Sequence, residues 1–356
     1  MPRRDTVVMP GPESPLSVVH VVVTDAFAGV ERYLCEVSNE LAARGHRVVT
    51  IGGDRDRMRH ELGSDITNHP AGGLVAGARA LARVGHVDIV HAHMTAAEGA
   101  AWLARPLQRS PIVATRHFAR DRGSSAVARG LATITSRAIA CDIAISQFVA
   151  DSISGPSVVI PNGVPDRDQA ALDTATVVML QRLEAEKATD VGIQAWARSG
   201  LAGQGWRLLV AGQGELHGSL VQLARDLGVA GSVEFVGYVA DTDKLLSEAT
   251  VFLAPGHLDG FGLSVVEAMA HGVPVVAARA GGHLETLAGD GLLFPPGDPA
   301  AAAEELVRLA HDPSLRRRAG AALRQRQQAQ FSLPRHVDRL EEVYRWVGAG
   351  RRPDRR

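Results

Sequence analysis

Short apolar runs recur along the chain, and each is followed by a stretch whose apolar positions return every three or four residues. The first run, LSVVHVVV over 16–23, has the continuous apolar character of a strand buried on both faces. Over 30–44 the apolar positions Leu34, Val37 and Leu41 share one helical face, and Gly45 ends the helix. Strands are expected at 47–51, 88–92, 112–115, 143–145 and 158–160, with helices at 74–84, 95–105 and 126–138. Ser146 is placed as the N-cap of a short helix containing Val149, and 52–73 is weakly patterned, with a short strand near Ile66. Pro161-Asn162-Gly163-Val164-Pro165 is turn chemistry, followed by a polar stretch to Thr174. The alternation then restarts, with strands at 176–180, 207–211, 233–236, 251–254 and 274–277 and helices at 190–198, 216–227 and 241–249. Helices over 299–311, 314–330 and 333–347 complete the chain. Alternating β and α elements predict an α/β protein with doubly wound parallel sheets. The expected divisions are a leader over 1–15, a first domain over 16–165, a second over 166–332, a helix over 333–347 and a basic tail over 348–356.

Composition narrows the function more than the fold. A chain of 356 residues is too long for one ordinary core, and its 46% hydrophobic and 22% charged residues are those of a globular protein. A net charge of −1 argues against a nucleic-acid partner. Cys35 and Cys141 stand apart among apolar residues and read as buried free thiols of a reducing cytoplasm. No apolar run approaches the ~20 residues of a membrane span. Arg3-Arg4 precedes a proline-rich, acidic stretch without an apolar segment, a disordered leader rather than an export signal. The four arginines of 348–356 carry the charge for a weak peripheral contact with an anionic membrane.

Candidate chemistry falls on loops that follow strands of the second half, where α/β sheets bind ligands. Gln181 to Lys187 carries two cations, Arg182 and Lys187, able to hold a diphosphate, or else paired on the surface with Glu184 and Glu186. Gly212-Gln213-Gly214 is a tight turn after a strand, but His217 stands at the third glycine position and the dinucleotide fingerprint fails. Tyr238 offers a ring to a base or packs as an ordinary core residue. In 254–277 a strand leads into a loop with Gly256, Gly260 and Gly262 and then a helix, a ready anion site. Ser264 and Glu267 have capping-box spacing, so Glu267 either closes that box or meets a ligand, and Asp259 either holds the loop turn or does the same. In the first half Gly29 opens a helix, while His91 and His93 share a strand face and His117 ends the next strand. Histidines of this spacing can ligate zinc, but no third ligand is placed, and no metal site is expected. A cleft-facing histidine that meets the acceptor, or a hydrogen-bonded core histidine, are the two readings of these side chains.

Together these stretches resemble the family-four retaining glycosyltransferases of the GT-B fold, over almost the whole chain. The resemblance is carried by Gly29-Val30-Glu31-Arg32, His91-Ala92-His93, Ile160 to Val164, Arg182 to Lys187, Gly212 to Gly214, Asp259 to Glu267, Gly281 to Glu285 and the helix containing Tyr344. It implies two Rossmann-like domains facing a cleft, with the last helix crossing back to the first domain. Arg182 and Lys187 would bind the diphosphate of a nucleotide sugar and Glu267 the ribose. Asp259 would bind the transferred sugar, near the amides of Phe261, Gly262 and Leu263. His117 would lie close to the reacting centre and Gly29 near the phosphate. Two positions depart from the family: Asp259 replaces the usual glutamate, and Ala188 stands where glycine often follows the lysine.

The expected function is therefore a metal-independent, retaining transfer of a sugar from a UDP- or GDP-sugar to a hydroxyl acceptor, by same-face attack and without a cofactor. The alternatives are a nucleotide-sugar epimerase of the same architecture and a catalytically silent sugar-nucleotide-binding protein.

Overall fold

The apolar runs become strands of two parallel sheets, joined by helices that cover both faces. This computed structural model describes residues 14–119, 122 and 126–350, so most of the expected leader and of the basic tail falls outside it. The first sheet uses β1 (Ser17–Val22), β2 (Arg47–Ile51), β3 (Thr67–His69), β4 (Ile89–His93), β5 (Ile112–Arg116), β6 (Ile139–Ala144) and β7 (Val158–Val159), in the order β3-β2-β1-β4-β5-β6-β7. Between them run α1 (Gly29–Ala43), α2 (Arg55–Glu61), α3 (Leu74–Val84), α4 (Met94–Ala104), α5 (Ala126–Ser136) and α6 (Gln147–Asp151). The second sheet, in the order β10-β9-β8-β11-β12-β13, uses β8 (Thr176–Leu180), β9 (Arg207–Ala211), β10 (Val233–Gly237), β11 (Val251–Ala254), β12 (Val275–Ala278) and β13 (Leu292–Phe294). Its helices are α7 (Thr189–Ser199), α8 (His217–Asp226), α9 (Thr242–Ser247), α10 (Leu263–Ala270) and α11 (His283–Leu287). Three helices end the chain: α12 (Pro299–His311), α13 (Pro313–Gln330) and α14 (Leu333–Gly348).

In each sheet the strand order reverses once, between β1 and β4 and between β8 and β11. Such switch points open a crevice at the strands' carboxyl ends. Loops that are distant in sequence therefore converge there.

The chain crosses between the sheets twice, side by side. Val164 N–H donates to Phe331 O at 2.8 Å, Leu333 N–H donates to Val164 O at 3.1 Å, and Gln327 Nε2 reaches the same carbonyl at 2.8 Å. Beyond the crossing, Leu333, Val337, Leu340 and Tyr344 of α14 enter one apolar cluster with Val18 of β1 and Tyr33 and Leu34 of α1. The last helix thus returns to the first unit, as the resemblance implied.

Some elements depart from expectation. α2 has only Met58 buried and is set by its cap, Asp54, which accepts the Arg57 N–H at 2.9 Å, so hydrophobic periodicity could not reveal it. Short α11 and β13 were not expected, and β6 starts earlier than the predicted 143 because its first residues are only half-buried.

The crossing yields a test. A Cβ at Gly163 would lie 2.5 Å from His336 Cβ and 2.8 Å from Leu333 Cα. Gly163→Ala should therefore lower stability by about 1–3 kcal/mol, the range for overpacking. An unchanged urea midpoint would show that the crossing has slack.

Candidate active site

A cavity of about 670 Å³ opens between the two sheets. One wall comes from the loop after β1 with the start of α1, from Met94 and Thr95 at the start of α4, and from Arg116 to Phe118 after β5. The other comes from Gln181, Arg182, Lys187, Asp259 and Phe261 to Ser264. Of the residues singled out in sequence, Gly29, His117, Arg182, Lys187, Asp259, Phe261, Gly262 and Leu263 line this space. Gly212, Gly214, Tyr238 and Glu267 lie outside its lining.

Lys187 and Asp259 meet at its floor, with Nζ 2.5 Å from Oδ2 and both side chains less than one-fifth exposed. The other carboxylate oxygen accepts the Gly262 N–H at 3.0 Å. Burial alone would push the Asp259 carboxyl up, but Lys187, the neighbouring His283 and the Gly262 amide together hold it below its ordinary value. Lys187 is presented by a short 3₁₀ turn, after which Ala188 takes a left-handed conformation with φ 47°. A β-carbon there costs roughly 1–2 kcal/mol, a physical reason for glycine at this position. Arg182 Nη2 contacts Glu186 Oε1 at 2.6 Å and stays half-exposed.

The helix facing this pair does not start as the sequence suggested. Gly262, at φ 80°, is the N-cap of α10, so Ser264 already lies inside the first turn and the expected capping box with Glu267 does not form. Among the described residues the Glu267 carboxylate has no hydrogen-bond partner. It is half-buried in a charged cluster, and its carboxyl is pushed up to about 7, first by burial and then by Asp243, against the opposing Arg32 and Arg167. Burial likewise pushes Glu36 up to about 8, reinforced by Glu267. Gly212 and Gly214 lie where a Cβ would strike the carbonyl oxygens of Gln181 and Leu183, at 1.9 and 2.3 Å. They press their turn against the loop that carries Arg182.

Cross-cleft contacts that sequence reasoning missed hold the two walls. Glu285 accepts the Gln147 and Phe148 N–H groups at 2.7 and 2.6 Å, capping α6 from the opposite unit. Ser146, the N-cap foreseen for α6, accepts Val149 N–H at 3.0 Å and donates to Gly260 O at 2.5 Å. Arg32 donates to Thr242 Oγ1 and Ala240 O at 2.5 and 2.6 Å. Arg57 donates to the Tyr238 hydroxyl at 3.0 Å, its guanidinium 4.9 Å from the ring centre. Pairs so far apart in sequence leave no local signal.

Of the three histidines, only His117 lines the cavity. His91 and His93 are fully buried beneath it, so the cleft-facing reading fails for both. The fold also supplies the third member that the sequence did not place: ring nitrogens of His20, His91 and His93 lie within 4.8 Å of one another. Met94, with φ 70°, is a strained non-glycine residue at the cavity wall, a further feature without a sequence signature.

Two outcomes follow from these charges. Lys187→Met leaves Asp259 buried without its cation and should cost about 2–3 kcal/mol at pH 7, less than the ~3–5 kcal/mol of a fully buried pair because part of each side chain is exposed. Because the Asp259 pKa is depressed, the pair's contribution is complete above the ordinary value of 3.8 and is lost as pH falls through the lower folded value. Wild type and variant should thus converge in acid, and equal denaturation midpoints at pH 7 would remove the pair from the account. For Glu267 the sign is opposite. The folded state binds its proton more tightly between pH 4.5 and about 7, so ionisation destabilises it as pH rises through that window. Glu267→Gln should raise the melting temperature at pH 8 and change it little at pH 4, whereas a helix cap would lose stability at pH 8.

The glycosyl transferases group 1 family matches residues 165–326, and glycosyltransferase family 4 matches 27–168. An exopolysaccharide phosphotransferase of Streptomyces coelicolor is 37% identical over 168 residues, 45% of this chain but only 18% of that protein's length. Glycogen synthase of Mycobacterium tuberculosis is 26% identical over 91% of this chain and 92% of its own. Among solved structures, HepE of Anabaena in complex with UDP and glucose superposes with a TM-score of 0.78, covering 92% of this chain and 99% of its own at 19% identity. The two sheets, the cleft between them and the returning helix are the GT-B fold, and the chain belongs to the group 1, family 4 glycosyltransferases.

Proposed function

We propose that this protein transfers a sugar from a UDP- or GDP-sugar to a hydroxyl acceptor, in the cytoplasm, with retention at the anomeric carbon. The observation that carries the reading is the Lys187–Asp259 pair at the floor of the cavity, beside Arg182 and facing the start of α1. Breaking the bond from C1 to the diphosphate builds negative charge on the leaving group. Arg182 and Lys187 supply fixed cations at that place, and the first turns of α1 and α10, which line the same cavity, add their amide dipoles. These groups carry the leaving group's charge without calling on a metal ion or cofactor. Asp259 would receive hydroxyls of the transferred sugar near the amides of Phe261, Gly262 and Leu263. His117 would stand at the reacting centre, Gly29 would leave room for the phosphate, and Glu267 would take the ribose. Gly212 and Gly214 would act through the loop they support, and Tyr238 would border the base.

Among the described residues the one other carboxylate lining the cavity is Glu31, which is engaged at the start of α1 by accepting the Ala28 N–H at 2.7 Å. We therefore assign retention to same-face attack, in which the departing phosphate oxygen takes the acceptor's proton. The UDP and glucose bound to HepE support a nucleotide-sugar donor here.

The test begins with thermal shifts against UDP, GDP and their sugars. A ligand at 100 times its Kd should stabilise the fold by about 2.7 kcal/mol. With the sugar donor in hand, Arg182→Ala and Lys187→Ala should each lower kcat by about 10²–10³, the scale of lost oxyanion donors. Product of retained configuration by NMR and rates indifferent to chelator complete the expected result. Sugar epimerised without acceptor, or binding without turnover across an acceptor panel, would replace the transferase reading with an epimerase or a silent binder.

A further inference from the structure

His117 at the cavity wall and two buried histidines beneath it form an ordered chain. His117 Nε2 lies 3.2 Å from His93 Nδ1, and His93 Nε2 lies 3.0 Å from His20 Nδ1. His20 Nε2 ends the chain, fully buried and without a partner among the described residues. Each ring link needs one N–H and one lone pair, so the tautomers of the three rings are coupled. Only two neutral arrangements satisfy both links. In one, His20 leaves an N–H unpaired in the interior. In the other it leaves a lone pair there, and the protons sit on Nδ1 of His20, His93 and His117. A buried unpaired N–H is the rarer and costlier orphan, which selects the second arrangement. The outer ring then shows the cleft an Nδ1–H.

We infer that His20 and His93 are positioning residues: they hold His117 in the Nδ1–H tautomer, so that it offers a hydrogen-bond donor to an oxygen of the transferred sugar. This rests on the proposed placement of His117 at the reacting centre. Burial keeps the rings neutral, pushing His20 and His117 down to about 3 and His93 well below the ordinary value, and the neighbouring rings reinforce the shift. The ring planes are fixed as well. Tyr33 meets His93 and His117 edge-on, at centroid distances of 5.9 and 5.5 Å. Tyr33 is itself held, because His336 Nδ1 must donate to Pro161 O at 2.7 Å, which leaves His336 Nε2 to accept the tyrosine hydroxyl at 2.7 Å.

A metal ion is the rival use of the same cluster. It would require three lone pairs converging on one point. Here the two nitrogens of His91 are engaged by Tyr344 Oη at 2.6 Å and Thr115 Oγ1 at 2.7 Å, and both nitrogens of His93 by other rings. The hydrogen-bonded chain accounts for every ring nitrogen of the three linked histidines except the terminal one and the one facing the cleft.

Long-range ¹H–¹⁵N correlation spectra of the full chain labelled with ¹⁵N-histidine read the tautomers directly, with His20→Leu, His93→Gln and His117→Ala giving the assignments. The expected result is Nδ1–H at His20, His93 and His117. His20→Leu should turn His117 into a mixture of tautomers, and His20→Asn, whose amide N–H overlies imidazole Nδ1, should restore the single form. In transfer assays His20→Leu should lose about tenfold in kcat/KM, the worth of one hydrogen bond, and His20→Asn should recover most of it. A merely structural role for His20 would move the melting temperature but leave the His117 tautomer alone. An Nε2–H tautomer at wild-type His117, a His117 signal unchanged in His20→Leu, or stoichiometric zinc in the purified protein would each overturn the inference. If His117→Ala leaves transfer intact while the tautomers read as expected, the placement of His117 at the reacting centre is what fails.

Discussion

An ammonium 2.5 Å from a carboxylate at the floor of a cleft fixes more than two side chains. Through Lys187 the pair anchors the loop after β8, and through the Gly262 amide it sets the first turn of α10. The carbonyl of Asp259 accepts the Gly282 N–H at 2.8 Å, which ties in the start of α11. Next in the chain, Gly260 O accepts from Ser146 of the first unit, and Glu285 on α11 caps α6 across the same gap. The segment that carries this shielded carboxylate is thus tied to its own wall by the ion pair and the Gly262 and Gly282 amides, and to the opposite wall through the neighbouring Gly260 carbonyl and Glu285. Burying such a pair brings little net stability compared with apolar packing, so its use must lie in the geometry it enforces.

The sheets were legible because strands buried on both faces must be apolar runs, and here nearly every run became a strand. The site's parts were legible for a related reason. Loops after strands at the two switch points must meet, which brings Gly29, Arg182, Lys187 and Asp259 to one cavity. Their partners were not legible. Sequence neighbours Glu184 and Glu186 competed for both cations; Arg182 does take Glu186, but Lys187 takes an acid far along the chain. The capping box at Ser264 looked sound because spacing says nothing of the backbone conformation by which the chain enters a helix, and Gly262 enters it left-handed. Ala188, one of the two departures from the family, proves to occupy a left-handed position of the kind glycine relieves.

His20 makes the same point from the opposite side. In the sequence it is one polar residue inside an apolar strand, with nothing to say which partner satisfies it. Register decides: β1 pairs with β4 so that His20 lies opposite His91, with His93 two residues further on. Tyr344, from the returning helix, then reaches His91 from above. A buried polar group is tolerable only when its neighbours complete its hydrogen bonds, so this cluster also gives α14 a reason, beyond apolar packing, to dock in one register.

The charges around the cavity are unequal in how easily they change partners. Arg182 and Glu186 form an exposed i,i+4 pair, worth about 0.3–0.5 kcal/mol, which an arriving diphosphate can displace almost without cost. Lys187 and Asp259 are shielded, and separating them would strand a charge at the floor. In the proposed reaction Arg182 is therefore the cation that swings to the ligand, and Lys187 the one that stays and is shared. A shared lysine is a weaker counter-charge in the resting state than a free one, and it strengthens only as the sugar's hydroxyls draw Asp259 toward themselves. Binding of the sugar and stabilisation of the leaving group would then be coupled through a single ion pair. In that proposed reaction a shorter acid would suit this: aspartate reaches Lys187 and the Gly262 amide together, and would leave to the sugar the space that a longer side chain would take.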